Sequence, residues 1–331
     1  MPSNFQNKHI LVTGAGGFIG SHLVERLLKE GAKVRAFVRY NSRGDPGLLK
    51  LLPPENYSRL EIIAGDLRDA HAILDAVSGC QLVFHLGALI SIPYSYHYPV
   101  DVAETNFMGT LNILMACRAR KIERLIHTST SEVYGTARQV PISEAHPLQG
   151  QSPYSASKIG ADKLAESFYC TYNLPVVTVR PFNTFGPRQS ARAIIPTIIS
   201  QALSRSTIRL GSLEMSRDFT YVDDTVSGFL AAAQAEGVEG EVFNLGTGVD
   251  IRISDLAKAI IKKIGNPIKI MVELQRLRPE KSEVMRLISD NEAARTRLGW
   301  QPEVSLDQGL DKTIEWIKGH LDFYQIGKYE F

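Results

Sequence analysis

His9-Ile10-Leu11-Val12-Thr13-Gly14-Ala15-Gly16-Gly17-Phe18-Ile19-Gly20-Ser21-His22-Leu23-Val24 sets the frame for the whole chain. A short apolar, β-branched run ends in a cluster of glycines, and the apolar residues that follow take the spacing of a helix face. The segment therefore reads as strand, tight turn, helix. Gly14, Gly17 and Gly20 recur every third position, which lets bare backbone approach an anion at the helix N-terminus, where unpaired amides and the macrodipole favour negative charge. At the head of a strand–helix series this predicts a dinucleotide whose pyrophosphate rests on Gly14, Gly17, Phe18, Ile19 and Gly20.

The series continues outward from that stretch. Short β-branched runs at 33–38, 60–64, 82–86, 124–128 and 176–179 alternate with amphipathic segments at 69–77, 100–120 and 153–172, the last opened by Ser152 as N-cap and Pro153 in the first turn. Strands separated by helices of this length predict an α/β fold with a doubly wound parallel sheet. After Pro181 the pattern loosens into Gly, Pro, Arg and Ser, with a helix near 194–204. A helix at 222–235 and a buried strand at 241–245 then bring the chain back to the main sheet. The expected organisation is a dinucleotide domain over residues 1–181 rejoined by 218–247, with a smaller, interleaved C-terminal lobe from 182–217 and 248–331.

The chain has 331 residues, with 37 Lys plus Arg against 35 Asp plus Glu. A formal net charge of +2 gives no field to attract nucleic acid or an anionic membrane, so any anion site is local. The longest apolar stretch, Gln81 to Ile92, is too short for a bilayer span, and the N-terminus lacks a signal-peptide pattern, so the expected location is cytoplasmic. Cys80, Cys117 and Cys170 are far apart and without nearby His partners, which predicts neither disulfide nor metal site and three reduced packing residues.

The second strand ends in Arg39-Tyr40-Asn41-Ser42-Arg43, without the acid that normally takes the adenosine ribose hydroxyls. Arg39 and Arg43, with Asn41 and Ser42 between them, instead suit a 2′-phosphate and favour NADP+ over NAD+; the alternative is a pair of solvated loop charges. Asp66, followed by Leu67, is placed to accept from an adenine amino group or to cap the next helix. Tyr154 and Lys158 lie one turn apart on a helix face, so an ammonium stands beside a phenol that must give and take a proton. Thr128-Ser129-Thr130-Ser131-Glu132 ends the fifth strand at the carboxyl edge of the sheet, where ligands of doubly wound folds sit.

Several motifs in order make the chain similar to the extended short-chain dehydrogenase/reductase family, the nucleotide-sugar epimerases and dehydratases. They are Thr13-Gly14-x-x-Gly17-x-x-Gly20, Asp66-Leu67, His85-Leu86-Gly87-Ala88, Asn106 before Gly109-Thr110, Ser129 to Gly135, Tyr154-x-x-x-Lys158, Arg180-Pro181-Phe182-Asn183, Gly186-Pro187-Arg188, Arg217-Asp218-Phe219-x-Tyr221, Asn244-Leu245-Gly246 and Leu298-Gly299-Trp300. Gly87 stands where the family usually has Ala. The resemblance implies a Rossmann sheet and a tightly bound NAD(P)+ regenerated each turnover, with Leu86, Ala88, Asn106, Ser129, Tyr154, Lys158 and Pro181 added to the cofactor contacts. It implies Tyr154 as the proton-transfer residue, Lys158 on the nicotinamide ribose, and Thr130 at the sugar O4. It also implies Asn183, Arg188, Arg217, Asn244 and Arg278 around a nucleotide-diphosphate sugar, and a homodimer formed as a four-helix bundle by the helices at 100–120 and 153–172, burying Leu111, Met115 and Leu164.

Within the family, Ser131-Glu132 is similar to the 4,6-dehydratases and to UDP-glucuronate decarboxylases, whereas simple 4-epimerases generally lack the Glu. The stretches at 39–43, 92–97 and 181–188 look most like the dehydratases of legionaminic-acid-type pathways. The expectation is a nucleotide-sugar 4,6-dehydratase with Thr130, Ser131, Glu132, Tyr154 and Lys158 as catalytic residues. A decarboxylase and a 4-epimerase are the enzymatic alternatives. A non-catalytic dinucleotide sensor is disfavoured because Tyr154, Lys158 and the hydroxyl residues before them are all present.

Overall fold

Six parallel strands from the first half of the chain, β1 (His9–Thr13), β2 (Lys33–Arg39), β3 (Glu61–Gly65), β4 (Leu82–His85), β5 (Arg124–Thr128) and β6 (Val176–Pro181), build the main sheet. In the computed structural model, which describes residues 4–326, a seventh strand at Val242–Leu245 completes it. The order is Val242–Leu245, β6, β5, β4, β1, β2, β3, all parallel, so the winding reverses between β1 and β4. Thr13 pairs with His85 and His85 with His127, which brings the carboxyl ends of β1, β4 and β5 level beside that switch point.

Both faces of the sheet are covered, so its strands are apolar on both sides. Ile10, Val12, Phe84 and Ile126 face one layer, against Leu23 and Leu27 of helix Phe18–Lys29 and Phe229 of helix Val222–Gln234. Leu11, Val83 and Leu125 face the other, against Ile113 and Cys117 of helix Gly109–Arg120 and Ala165 and Phe168 of helix Pro153–Tyr172. Cys80 and Cys117 are buried as expected, but Cys170, expected to pack, is exposed. No helix among the described residues is long and apolar enough to cross a membrane.

Helix Pro153–Tyr172 opens on a reciprocal capping box between Ser152 and Ser155, with Pro153 in its first turn, and closes on Asn173 in the left-handed region at φ 52°. The segment expected as one helix from 100 to 120 has an extra feature. It runs as α-helix over Pro99–Ala103, widens to a π-turn over Glu104–Met108, and resumes as α-helix over Gly109–Arg120.

The small lobe is organised on Ser216–Tyr221. That strand pairs in parallel with Asn183–Phe185 and Arg286–Leu287 and antiparallel with Asp250–Arg252. The boundary expected after residue 217 falls inside it, and the return to the main sheet begins with helix Val222–Gln234. Thr207–Leu210 and Lys269–Val272 form a separate two-stranded ribbon.

Candidate active site

The glycine turn after β1 is a cradle that tolerates only bare backbone. Gly14 sits at φ +68°, and a Cβ there would lie 2.8 Å from the Gly87 nitrogen. A Cβ on Gly20 would lie 2.2 Å from the Gly14 carbonyl, so the first helix turn seats directly on the loop. Helix Phe18–Lys29 has Gly17 as N-cap and no side chain capping its amides. Those unpaired donors and the close backbone fit a pyrophosphate. Leu86 and Gly87 close the far side, both donating from their amides to Thr13, to its carbonyl at 3.3 Å and its hydroxyl at 3.1 Å respectively.

Asn106, in the π-turn, is 1% exposed and fully committed to protein partners. Its Oδ1 accepts from the Leu89 amide at 2.8 Å, and its Nδ2 donates to the Leu89 carbonyl at 2.9 Å and to Ser157 Oγ at 3.0 Å. It ties the loop after β4, with Leu86 and Ala88, to the helix of Tyr154. The widened turn is what carries the amide inward toward that loop.

At the adenosine end the polar groups have partners of their own. Asn41 organises the loop after β2, accepting from the Arg43 and Asp45 amides and donating to the Asp45 carbonyl at 2.8 Å. Arg39, Ser42 and Arg43 project outward and exposed. Asp66 accepts the Arg68 guanidinium at 2.7 Å, which holds its carboxyl below the usual range. The helix Ala70–Val77 is capped by Asp69, so the capping alternative for Asp66 does not apply.

Tyr154, Lys158 and Asp162 form a buried stripe on one face of helix Pro153–Tyr172, at 6%, 3% and 5% exposure. Lys158 Nζ donates to the Thr128 carbonyl at 2.6 Å, toward the end of β5. Burial pulls its ammonium down to about 8, with the Asp162 carboxylate opposing. The Tyr154 phenol is held well above its ordinary range by burial, with a hydrogen bond from Thr130 acting against that and the Glu132 charge adding to it. Desolvation thus dominates at the phenol, while the Lys158 ammonium is turned to the Thr128 carbonyl.

Thr130 caps the short turn Ser131–Tyr134, accepting from the Glu132 amide at 3.3 Å. That turn buries Ser131 and leaves Glu132 half-buried, near enough that its charge acts on both Tyr154 and Arg217. Arg217 is itself buried, and burial lowers its guanidinium pKa against the Glu132 and Glu283 charges. Glu283 bridges the two expected arginines, 3.5 Å from Arg217 and 3.7 Å from Arg278. The Arg278 Nη1 atom is buried and makes no hydrogen bond among the described residues, its Glu283 partner standing 3.7 Å away. Thr130, Glu132, Tyr154 and Arg217 thus gather at one site by the carboxyl edge of the sheet, with Arg278 linked to Arg217 through Glu283.

A profile of the GDP-mannose 4,6 dehydratase family matches residues 11–313. The chain belongs to the extended short-chain dehydrogenase/reductase family of nucleotide-sugar dehydratases and epimerases. It is 36% identical to a UDP-glucose 4-epimerase of Mycolicibacterium smegmatis, over 93% of this chain and 98% of that one. It is 30% identical to a dTDP-D-glucose 4,6-dehydratase of Mus musculus, over 96% and 90% of the two chains. Among solved structures it superposes on DesIV, a dTDP-glucose 4,6-dehydratase from Streptomyces venezuelae with NAD bound, with a TM-score of 0.86, 28% identity, and 96% and 99% of the two chains covered.

Not every motif of this dehydratase/epimerase family reaches the cleft. Asn244 is fully buried, its amide nitrogen donating to the Ile142 carbonyl at 2.9 Å and its oxygen accepting from Tyr134 Oη at 2.7 Å. Arg188 is turned to the first helix, 2.6 Å from Glu25. Ser129 donates to Asp162 at 2.8 Å and its amide bonds the Val179 carbonyl. Asn183 opens a strand of the small sheet and Pro181 is buried at the end of β6. Sequence reasoning had not picked out Asp162, His127 or Glu283, and named Arg180 only within a motif, without a role. A signal for Asp162 was present, since it continues the four-residue spacing of Tyr154 and Lys158.

Proposed function

We propose that this enzyme is an NAD(P)-dependent 4,6-dehydratase of a nucleotide-diphosphate sugar. The observation that carries the reading is Glu132 half-buried near both Tyr154 and Arg217, two residues after Thr130. Gly14, Gly17, Phe18, Ile19 and Gly20 would hold the pyrophosphate of the dinucleotide, and Lys158 its nicotinamide ribose. When bound, the dinucleotide supplies the hydride acceptor and returns the hydride within one turnover. Arg39 and Arg43 favour the NADP form.

Arg217 and Arg278 grip the diphosphate, with Asn183 alongside, and the sugar then lies over Thr130 and Tyr154. Thr130 orients the C4 hydroxyl, and Tyr154, favoured as phenolate once a cationic nicotinamide and the Lys158 ammonium lie beside it, accepts its proton. Once C4 is a carbonyl, the C5 proton is acidic enough for a carboxylate to remove. Glu132 takes that proton and delivers it to the departing C6 hydroxyl, so water leaves across C5 and C6. Ser131, a weak acid, positions the turn. With the hydride returned to C6 and a proton added at C5, the product is a 4-keto-6-deoxy sugar nucleotide.

Incubation with a panel of nucleotide sugars, read by mass spectrometry, tests this. Loss of water is the expected result, and in deuterated water the product acquires one deuterium at C5. Glu132→Gln should bind substrate and accumulate reduced cofactor, yet lose elimination by about 100-fold or more. Unchanged product mass would favour the 4-epimerase reading, which the 36%-identical epimerase relative supports. Loss of carbon dioxide would favour a decarboxylase.

A further inference from the structure

Beneath the catalytic stripe lies a buried polar network that the proposed reaction does not use. Asp162 Oδ1 is 3.1 Å from His127 Nε2, and its Oδ2 accepts from Ser129 Oγ at 2.8 Å and from Arg180 Nη2 at 2.9 Å. Arg180 Nη1 continues to Tyr134 Oη at 2.9 Å, and Tyr134 donates to Asn244 at 2.7 Å. Asp162, His127, Ser129, Arg180, Tyr134 and Asn244 are all at most 5% exposed. A carboxylate is retained at such depth only when fully hydrogen-bonded and paired, and this one is.

Its placement is specific. His127 and Ser129 flank Thr128, whose carbonyl receives Lys158 Nζ at 2.6 Å. Asp162 therefore clamps the strand end on either side of the Lys158 acceptor, from a position one helical turn beyond Lys158 itself. The groups facing Lys158 are Tyr154 and Asp162 on its own helix, His85 on β4 and His127 on β5, with Arg180 of β6 behind Asp162. Among them Asp162 is the carboxylate.

We propose that Asp162 is a positioning residue for the proton-transfer pair, clamping the end of β5 under Lys158 and supplying the buried negative charge that keeps Lys158 an ammonium. Desolvation is the influence that discharges Lys158, and Asp162 is the influence opposing it. A positively charged nicotinamide bound beside Lys158 strengthens the need for that anion. Asp162 also raises the Tyr154 phenol, which favours its neutral form, but it does so behind burial, Thr130 and Glu132, so the property that reports its role is the charge of Lys158. The inference rests on the reading of Tyr154 and Lys158 as the reacting pair.

Two measurements on Asp162→Asn test it. In the first, the pH dependence of Lys158 acetylation is followed by peptide mass spectrometry on apo and cofactor-loaded protein. Only the neutral amine reacts, and its midpoint should fall by about one pH unit or more, so that acetylation at a fixed pH below both midpoints rises roughly ten-fold. In the second, the alkaline limb of kcat/KM, on whichever nucleotide sugar the wild type converts, should move to lower pH by the same amount. The Asp162→Asn/Arg180→Met double variant leaves no unpaired buried guanidinium and carries the test if the single variant does not fold. A purely structural Asp162 would lower thermal stability and depress activity equally at every pH. That pattern, or an unmoved acetylation midpoint in either folded variant, overturns the proposal. A wild type that converts no nucleotide sugar overturns the functional reading instead, and leaves the acetylation experiment to decide this one.

Discussion

Replacing Asn106 tests how far the π-turn holds the cleft together. Asn106→Ala removes three hydrogen bonds of 2.8, 2.9 and 3.0 Å and leaves the Leu89 N–H and C=O without their partners. Each deprived backbone group costs about 1–3 kcal/mol unless water reaches it, so a loss of roughly 2–5 kcal/mol is expected in equilibrium urea unfolding followed by circular dichroism. Dinucleotide affinity should fall with it, because the loop carrying Leu86 and Ala88 is released. Asn106→Asp sharpens the test. Its carboxylate keeps the Leu89 amide but faces the Leu89 carbonyl and Ser157 Oγ, which itself donates to the Tyr154 carbonyl at 2.7 Å. Both facing groups are then acceptors in a site 1% exposed. Protonation restores a donor, so the folded-state pKa of this Asp is raised above its unfolded value of about 3.9. The variant's stability contribution is then fully present below about pH 4 and lost as pH rises, its deficit growing by up to about 1.4 kcal/mol per unit until the folded pKa is passed. An Ala variant within about 0.5 kcal/mol of wild type, or an Asp variant whose deficit is flat from pH 4 to 7, would refute the reasoning.

The remaining predictions concern ligands and assembly. Arg217→Ala and Arg278→Ala each remove a charge-assisted diphosphate contact of about 1.5–3 kcal/mol, so KM should rise roughly 10- to 100-fold with a smaller fall in kcat; unchanged KM in both would place the diphosphate elsewhere. Arg39→Ala should weaken NADP far more than NAD in titrations of the apoprotein, and equal losses would return Arg39 to a solvated loop charge. Of the residues expected at the dimer face, Met115 is 49% exposed, whereas Leu111 and Leu164 pack, partly buried, against the core beneath the sheet. Light scattering should show a dimer at micromolar concentration for the wild type and a monomer for Met115→Asp, while a wild-type monomer would remove that interface.

Local patterns carried much of this protein. The strands of the main sheet lie within a residue or two of where β-branched runs placed them, because a doubly wound sheet buries both faces and writes itself as continuous apolar segments. Tyr154 and Lys158 were legible together since helical spacing alone puts them on one face. What stayed hidden depends on partners distant along the chain. Asn244 sits in a motif of the family, yet its side chain is spent on Ile142 and Tyr134, about a hundred positions away. Asn41 lies where a cofactor contact was expected, but its amide closes its own loop, a use that composition does not distinguish. The π-turn escaped notice because one extra residue in a turn barely disturbs a helical apolar pattern. Asp162 carried the right spacing, but its meaning comes from His127, Ser129 and Arg180 on two other strands.

The small sheet has a consequence for how the chain can be made. Its strands are drawn from 183–185, 216–221, 250–252 and 286–287, so no cut between residues 183 and 287 leaves it whole. The first six strands of the main sheet are complete by residue 181, whereas the lobe has to wait for Leu287 to leave the ribosome. During synthesis the dinucleotide half can therefore collapse first, with the edge of β6 uncovered until Val242–Leu245 arrives to pair with it. Splitting the gene between the two halves would yield an N-terminal fragment with an open, aggregation-prone edge and a C-terminal fragment that carries the missing strand, Val242–Leu245, without the sheet it joins. Rearranged versions of this protein should instead be opened at exposed turns outside that span, such as the one at Gly79.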